Sequence, residues 1–202
     1  MPRQVAFVAD HVAHWSAGTE SQMLMLARGL HADGWDVPLF VLRGSDAVND
    51  GSWPGPVITV GITSLSAPSA WWRAGSLAHR LRRGGFRGAH LFFNDTSILL
   101  PPFLRLGGIK VVIARRDMGF WYTGGQLRVL RVVRRAVDRV VANSRAVARR
   151  VCEAEGYSPD RVVVHYNGLL GNPEEAPLRE VDPGHPVVGL VANVRPVKRV
   201  QD

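Results

Sequence analysis

The stretch VAFVADHVAHWSAGTESQMLMLARGL, residues 5–30, predicts a buried strand, a loop of small residues and an amphipathic helix. Its first five residues, Val5–Ala9, are all apolar, which is typical of a strand covered on both faces. Thr19 and Gln22 have the spacing of a helix capping box, and Gly34 is predicted to end the helix. Apolar residues recur at i, i+3, i+4 and i+7, as on one face of a helix: Met23, Leu26, Ala27 and Leu30.

The loop between this strand and this helix offers a place for an anionic ligand. Ala17, Gly18 and Thr19 lie where free N–H groups and the positive end of the helix dipole point towards the loop. Ala17 and Gly18 carry almost no side chain, so a phosphate could approach the backbone closely. On spacing alone, an ordinary turn at Gly18 explains the pattern at least as well. The dinucleotide-binding pattern G-x-G-x-x-G is absent from the stretch.

The composition indicates a globular chain with a strong positive charge. It has 202 residues, of which 46% are hydrophobic and 21% charged, and its formal net charge is +8. Such a charge suits phosphate-bearing ligands, anionic membranes or nucleic acid. Cys152 is the only cysteine, which excludes an intramolecular disulfide framework. Since no apolar run reaches transmembrane length and no signal-peptide pattern is present, we predict a cytoplasmic location.

Strand and helix patterns alternate along residues 1–170. Strands are predicted at six further places: Asp36–Leu42, Val57–Val60, Ala89–Asn94, Ile109–Ala114, Asp138–Ala142 and Arg161–Tyr166. Helices are predicted between them: Ala70–Arg83, Ser97–Leu106, Gln126–Val137, and one from Asn143 or Ser144 to about Glu155. Pro101 and Pro102 imply that the second of these helices kinks or starts late. Because helices between strands imply right-handed crossovers, we predict an α/β fold, a Rossmann-like three-layer domain with a parallel sheet.

The last part of the chain has a different pattern. Residues 171–186 contain four prolines and several acidic residues without periodicity, which predicts an interdomain linker. Val187–Ala192 (VVGLVA) then predicts a new buried strand. Since the chain stops shortly afterwards, at Asp202, we interpret residues 187–202 as the truncated start of a second domain.

Four segments, in order along the chain, resemble the family 4 (group 1) glycosyltransferases of GT-B fold, whose two Rossmann-like domains face a cleft. Residues 17–20 (AGTE) look like the family's G-G-x-E loop, and residues 138–146 (DRVVANSRA) are similar to its a-D-x-v-v-a-x-S-x-a segment. Residues 162–168 (VVVHYNG) look like its v-v-x-N-G-v-D ending. Residues 188–199 (VGLVANVRPVKR) are similar to the G-R-L-x-P-x-K-G segment that opens the C-terminal domain. Residues 1–170 would then be the N-terminal, acceptor-side half of a GT-B fold.

The resemblance implies transfer of a sugar from a nucleoside-diphosphate sugar to an acceptor, with retention of the anomeric configuration and without a metal ion or other cofactor. It implies donor and phosphate contacts for six residues: Ala17, Gly18, Thr19, Arg195, Lys198 and Arg199. Lys198 matches the family's phosphate-binding lysine. The family's arginine, five residues earlier, is Asn193 here, and Arg195 is its candidate replacement. A solvated basic turn is the alternative for the three C-terminal residues.

The resemblance also implies that the N-terminal domain supplies the acceptor pocket, with a histidine after the fifth strand. That place reads ARRDMG, residues 114–119, so Arg115 and Arg116 stand where the histidine is expected. The acceptor-side candidates are polar residues that follow predicted strands: His11, Asn94, Asp95, Arg116 and Asp117. Simpler alternatives stay open, namely an exposed loop histidine, a helix cap after the fourth strand, and a surface Arg–Asp pair.

Eight arginines lie between Gln126 and Arg150 and form a basic region. We hypothesise that this region contacts anionic lipid headgroups and brings the protein to a lipid-linked acceptor. A solvated helix face is the alternative. The predicted partners are therefore a nucleotide-sugar donor, a saccharide or lipid-linked acceptor, and at most a peripheral contact with an anionic membrane.

Two other functions compete with the transferase interpretation. One is a nucleic-acid-binding module, which rests on charge alone and is opposed by the strand–helix alternation, so no nucleic acid is expected. The other is a non-catalytic α/β domain that binds a sugar or nucleotide. Because the resemblance places the acidic E-x7-E segment and most donor contacts in the missing C-terminal domain, residues 1–202 are expected to be inactive by themselves.

Overall fold

The computed structural model describes residues 3–168, and the strands of this part belong to one parallel sheet. In chain order they are β1 Ala6–Ala9, β2 Leu39–Val41, β3 Val57–Thr59, β4 Gly88–Phe92, β5 Lys110–Arg115, β6 Arg139–Ala142 and β7 Val162–Val164. The α-helices are α1 Gly18–Ala32, α2 Pro68–Arg83, α3 Asn94–Leu106, α4 Gly124–Val133 and α5 Arg145–Glu155. Short 3-10 helices are Asp46–Asn49, Arg134–Ala136 and Pro159–Arg161. The strand order is β3-β2-β1-β4-β5-β6-β7.

The predicted α/β, Rossmann-like fold with a parallel sheet is confirmed. Every neighbouring strand pair is parallel, with β1 between β2 and β4 in the middle of the sheet. Successive side chains of β1 enter opposite layers, as the pleat requires. Ala6 and Val8 pack in the cluster that includes residues of α2, α3 and α5, whereas Phe7 and Ala9 pack in the cluster that includes residues of α1. The helices therefore cover two faces of the sheet and form three layers.

The predicted start of α1 is wrong in its detail. The helix begins at Gly18 with Ala17 as its N-cap, so no capping box forms. The side-chain amide of Gln22 instead exchanges two hydrogen bonds with the backbone of Gly168, at 2.8 and 2.9 Å. This contact joins α1 to a residue 146 positions away, which local spacing does not reveal. Leu26, predicted on the buried face, is exposed.

Of the two alternatives predicted for the helix of residues 97–106, a kink or a late start, the late start is wrong. α3 begins at Asn94 and continues through Pro101 and Pro102. A proline removes a backbone N–H and normally destabilises a helix interior. The first turn is stabilised from outside the helix, because the carboxylate of Asp10 accepts hydrogen bonds from the free N–H groups of that turn.

The later predicted elements are present with shifted ends. The helix predicted to reach Val137 is α4, which ends at Val133 and is followed by a 3-10 turn. Ser144, rather than Asn143, caps α5, because its hydroxyl accepts a hydrogen bond from the backbone N–H of Val147 at 3.2 Å. This is the usual role of a serine at the start of a helix.

The structure leaves part of the sequence prediction untested. The linker at residues 171–186 and the second-domain start at residues 187–202 lie outside the described residues, so these boundaries stay predictions. Within residues 3–168, no helix is both long enough and apolar enough to span a membrane.

Replacing Thr123 and Thr19 separately by alanine tests the capping assignment. Thr123 and Gln126 form a reciprocal capping box at α4. Thr123→Ala should lower the free energy of unfolding by about 1 kcal/mol. Thr19→Ala should change it by less than about 0.5 kcal/mol, because Thr19 caps nothing. Urea denaturation measures both values, and equal losses would contradict the assignment.

Candidate functional site

The carboxyl ends of β1 and β4 border the crevice where the connections of the sheet change direction. The chain passes from β1 to β2 on one side of the sheet and from β4 to β5 on the other. Open α/β sheets bind ligands at such a point. His11 follows β1, and its ring lies 6.3 Å from that of Phe93, which follows β4. Asn94 is the next residue, so the structure brings two predicted acceptor-side residues, His11 and Asn94, to this crevice.

Asp10 is the crevice residue that sequence reasoning missed. Its buried carboxylate accepts hydrogen bonds from three successive backbone N–H groups at 3.1, 2.9 and 2.8 Å: those of Asn94, Asp95 and Thr96. Burial raises the pKa of Asp10, and the hydrogen bonds from the backbone oppose that rise. Asp10 thus caps α3 from a neighbouring strand. The available signal was an acidic residue placed directly after an apolar strand.

Asp95 is held by an arginine. Its carboxylate lies 2.7 Å from the guanidinium of Arg43, and that guanidinium also lies 3.9 Å from the carboxylate of Asp10. Neither Asn94 nor Asp95 caps α3, because the N-cap position is Phe93. The backbone N–H groups of both residues instead donate hydrogen bonds to Asp10. The carboxylate of Asp95 is therefore already partnered, and its role towards an acceptor stays a prediction.

A small cavity of about 30 Å³ brings four predicted residues together. Thr19, Asn94, Arg116 and Asp117 all contribute to its lining. They belong to the first turns of α1 and α3 and to the segment that follows β5. The predicted phosphate loop and the predicted acceptor side therefore meet at one point of the crevice.

The N-terminus of α1 carries no side-chain cap, because its N-cap is Ala17. By contrast, Asp10 caps α3, and Thr123 and Ser144 cap α4 and α5. A Cβ atom added at Gly18 would meet no atom within 4 Å, so the space beside it is open. The predicted loop thus presents backbone N–H groups from which the N-cap side chain accepts no hydrogen bond. Phosphate binding there stays a prediction.

Arg116 supplies a fixed positive charge beside the small cavity. Its guanidinium donates to Oδ1 of Asn167 at 2.5 Å, and its backbone carbonyl accepts from Nδ2 of Asn143 at 3.0 Å. Partial burial lowers the pKa of Arg116, but an arginine stays charged at neutral pH. Asp117 accepts the N–H of Gly119 at 2.6 Å. Among residues 3–168, Arg116 and Asp117 do not form the surface ion pair of the alternative interpretation.

Arg115 is buried in an ion-pair network. Its Nε and Nη2 atoms donate to the two carboxylate oxygens of Glu155 at 2.7 and 2.9 Å, and Nη1 donates to the hydroxyl of Ser97 at 2.9 Å. Tyr122 donates its hydroxyl to the same carboxylate. Burial and the nearby Glu155 raise the pKa of Tyr122, so the phenol remains a donor. The network joins β5, α3 and α5 to the loop that carries Arg116.

The loop after β5 makes a tight turn at Gly119. Its φ is +77°, and a Cβ atom there would lie 2.1 Å from the ring of Tyr122. The side chain of Trp121 lies against the guanidinium of Arg115, 5.7 Å from ring centroid to Cζ. Only glycine fits this conformation and this space, so the loop has one defined path beside the cavity.

A larger cavity of about 220 Å³ opens between α1 and the sheet. Met25, His90, Arg116 and Val141 are among the residues that line it. Nε2 of His90 is buried and has no hydrogen-bond partner. Burial, together with the charge of Arg116, lowers the pKa of His90 to about 3, so the ring is neutral at neutral pH. No sequence pattern marks this histidine, since it lies inside an apolar strand.

The remaining predicted site residues stay predictions. Arg195, Lys198 and Arg199 lie outside the described residues. In the part of the chain that the structure describes, no three side chains of His, Cys, Asp or Glu converge as a metal site requires.

The parallel sheet and its switch-point crevice define a Rossmann-like α/β domain. The family model Glycosyltransferase Family 4 matches residues 16–169, and the chain belongs to that family. Comparison with curated proteins finds no match.

Solved structures share the fold of this chain at low sequence identity. A glycosyltransferase from Rickettsia africae ESF-5 is 16% identical, covers 83% of this chain and 44% of its own, and has a TM-score of 0.64. Anabaena Alr3699/HepE in complex with UDP is 15% identical over 82% of this chain and 44% of its own, with a TM-score of 0.64. MurG of Acinetobacter baumannii is 17% identical over 86% of this chain and 48% of its own, with a TM-score of 0.58. The chain spans less than half the length of these proteins.

Arg115→Ala and Arg105→Ala compare a buried ion pair with an exposed one. Arg115→Ala leaves the carboxylate of Glu155 buried without its cation, and should lower the free energy of unfolding by about 3–5 kcal/mol. Arg105→Ala removes a 3.0 Å pair between the guanidinium and Asp138, and should cost less than about 1 kcal/mol, because Arg105 is 58% exposed. Chemical denaturation measures both. A loss below 1 kcal/mol at Arg115 would contradict the buried network.

His90→Phe and His90→Gln test the neutral buried histidine. With a folded pKa of about 3 against 6.5 for the free side chain, His90 resists protonation in the folded protein. The unfolded chain then binds the extra proton, so stability falls as the pH drops below about 6.5. Between pH 7 and pH 5 the wild type should lose about 1–2 kcal/mol more than either variant. Urea denaturation at each pH measures the free energy of unfolding. An equal loss on acidification in all three proteins would contradict the assignment.

Proposed function

We propose that this chain is the acceptor-side half of a transferase that moves a sugar from a nucleoside-diphosphate sugar to an acceptor, with retention of the anomeric configuration. The crevice carries the proposal: an uncapped helix N-terminus and a fixed arginine lie beside polar side chains at the switch point of a family 4 domain. Sugar transfer expels a nucleoside diphosphate, so negative charge develops on the leaving group. Positive groups held in place before the reaction stabilise that charge.

The diphosphate would contact the loop Ala17–Thr19 and the guanidinium of Arg116. Free N–H groups and the helix dipole favour an anion at the start of α1. Thr19 and Arg116 line the same cavity, so both positive elements act on one point. These groups can neutralise the leaving group without a metal ion or other cofactor. Arg195, Lys198 and Arg199 are proposed as further phosphate contacts, following the resemblance of residues 188–199.

The acceptor would lie between the ends of β1 and β4. His11 and Asp117 are exposed there, and the side chain of Asn94 is partly exposed. Imidazole, carboxylate and amide groups can all bond to sugar hydroxyls. Asp95 would act through its pair with Arg43, since its carboxylate is already engaged. The acceptor class that fits these groups is a saccharide, free or linked to a lipid.

The donor would be bound mainly by a second domain. The chain covers only 44–48% of the length of the similar structures named above, and the family resemblance places most donor contacts outside residues 1–170. The Anabaena protein was solved with UDP, and also with UDP and glucose. A uridine nucleotide sugar is therefore the first donor to test, and the 202-residue chain is expected to be inactive alone.

Thermal shift with UDP-, GDP-, ADP- and TDP-sugars tests the proposal on two proteins. One is the 202-residue chain, and the other is the longer protein that the proposal implies, with a complete second domain. One nucleotide class should stabilise the longer protein only, because the phosphate and base contacts are shared between domains. The anomeric configuration of the product, followed by NMR, tests retention.

Arg116→Gln in the longer protein should lower kcat by about 100-fold, because it removes a charge from the leaving-group site. Arg105→Gln, a matched change of an exposed arginine, should leave kcat within about twofold. If the longer protein is folded and no donor raises its melting temperature, the transferase proposal is overturned. Turnover by residues 1–202 alone would overturn the assignment of donor binding to the second domain.

A further inference from the structure

Helix α2 presents two adjacent tryptophans to solvent. Trp71 is 57% exposed and Trp72 is 72% exposed. The buried side of the helix is formed by smaller residues, including Ala74, Leu77 and Leu81. Tryptophan is highly buried on average in folded proteins, so a neighbouring exposed pair needs an explanation beyond core packing. Trp71 rests edge-on against Phe103 of α3, 5.9 Å between ring centroids, which holds it at the surface.

The exposed side of α2 is basic between the tryptophans and the C-terminal end of the helix. Four exposed residues follow one another along this side at i, i+4, i+7 and i+11: Trp72, Ser76, His79 and Arg83. No Asp or Glu lies between Asp50 and Asp95, whereas the same interval contains five arginines. The exposed surface of α2 therefore combines two tryptophans with four arginines and no acidic residue: Arg73, Arg80, Arg82 and Arg83.

A groove of about 130 Å³ lies between α2 and β3, beside Trp72. Arg73 and Arg80 both line it. The guanidinium of Arg73 donates to the carbonyl of Val60 at 2.8 Å, and that of Arg80 lies 5.8 Å from the ring centroid of Phe40. These contacts hold two cations at the sides of the groove, an arrangement that suits a phosphate group.

We propose that α2 is a docking surface for a bilayer that contains anionic lipids. Trp71 and Trp72 enter the headgroup region, where the amphipathic indole ring is favoured. Arg73 and Arg80 bind a lipid phosphate at the groove, and the exposed Arg83 adds a further phosphate contact. The negative surface potential attracts the helix as a whole. The apolar side of α2 is packed on the sheet, so the helix touches the membrane without inserting along its length. Binding is therefore reversible and depends on anionic lipid.

The structure favours α2 over the basic region at residues 126–150. Arginines of that region donate to backbone carbonyls: Arg131 to Ala154 at 2.9 Å, Arg134 to Gly156 at 2.7 Å and Arg150 to Met118 at 3.3 Å. The exposed carboxylate of Glu153 follows three residues after this region, on the same helix as Arg150. α2 has no acidic residue and adds the tryptophan pair. Its first turn follows β3, so it also begins at the carboxyl edge of the sheet, the edge that carries the crevice.

Co-sedimentation of the 202-residue chain with vesicles tests this surface independently of sugar transfer. Vesicles of phosphatidylcholine with about one-third phosphatidylglycerol should bind the chain, and pure phosphatidylcholine should not. Trp71→Ser/Trp72→Ser and Arg80→Ser/Arg83→Ser should each weaken binding by about tenfold or more. Val132→Ser, at an exposed apolar residue of α4, and Arg145→Ser/Arg149→Ser, with the same change in charge, should stay within about twofold. Thermal melting checks that each variant is folded.

Quenching of tryptophan fluorescence by brominated acyl chains is a second readout, which can be used even if the serine variants do not fold. The brominated chains should quench the fluorescence of the wild type on anionic vesicles, and Trp71→Phe/Trp72→Phe should remove most of that quenching while keeping the aromatic surface. The proposal is overturned if the wild type binds no anionic vesicle, or if the two arginine pairs contribute equally. It is also overturned if the tryptophans mediate self-association, seen as a dimer in sedimentation that Trp71→Ser/Trp72→Ser abolishes.

Discussion

The carboxylate of Asp10 is the interaction on which the crevice depends. It joins the end of β1 to the first turn of α3 through three backbone N–H groups. To present those groups, the chain turns sharply at Phe93, whose φ of +72° costs a non-glycine residue about 1–3 kcal/mol. Hydrogen bonds to a charged acceptor and the helix dipole offset that strain. Because Asp10 occupies this helix terminus, α1 is the one of the two helices lining the small cavity whose N-terminus carries no side-chain cap.

The opposite side of the crevice depends on a second buried carboxylate. Glu155 holds Arg115, and through it the loop that ends in the capped helix α4. Arg116 is the next residue, so its position follows from the ion pair that precedes it. Both sides of the crevice are thus fixed by charged groups away from solvent, which limits how far the cavity can rearrange. Such rigidity is what electrostatic stabilisation of a leaving group requires.

The two proposals assign the positive charge of the chain to two kinds of anionic partner. Inside the crevice, Arg116 and the start of α1 would act on the proposed diphosphate over a short distance. On α2, exposed arginines would act on lipid headgroups through a field that salt screens within about 8–10 Å. Since α2 begins at the carboxyl edge of the sheet with its tryptophans in the first turn, an acceptor held in a membrane could reach the crevice from the surface that this end of α2 touches.

The sequence by itself determined the order and type of the elements, because buried parallel strands are short apolar runs and the helices between them are amphipathic. It also located the loop at Ala17–Thr19 and the polar residues after the strands. It did not reveal that Thr19 caps nothing, that α3 runs through Pro101, or that Arg115 is buried. The last two features depend on Asp10 and Glu155, which act on residues 84–86 and 40 positions away. The first goes with the contact between Gln22 and Gly168, which are 146 positions apart. Only tertiary structure decides them, since a cap or an ion pair between distant residues leaves no local period or spacing.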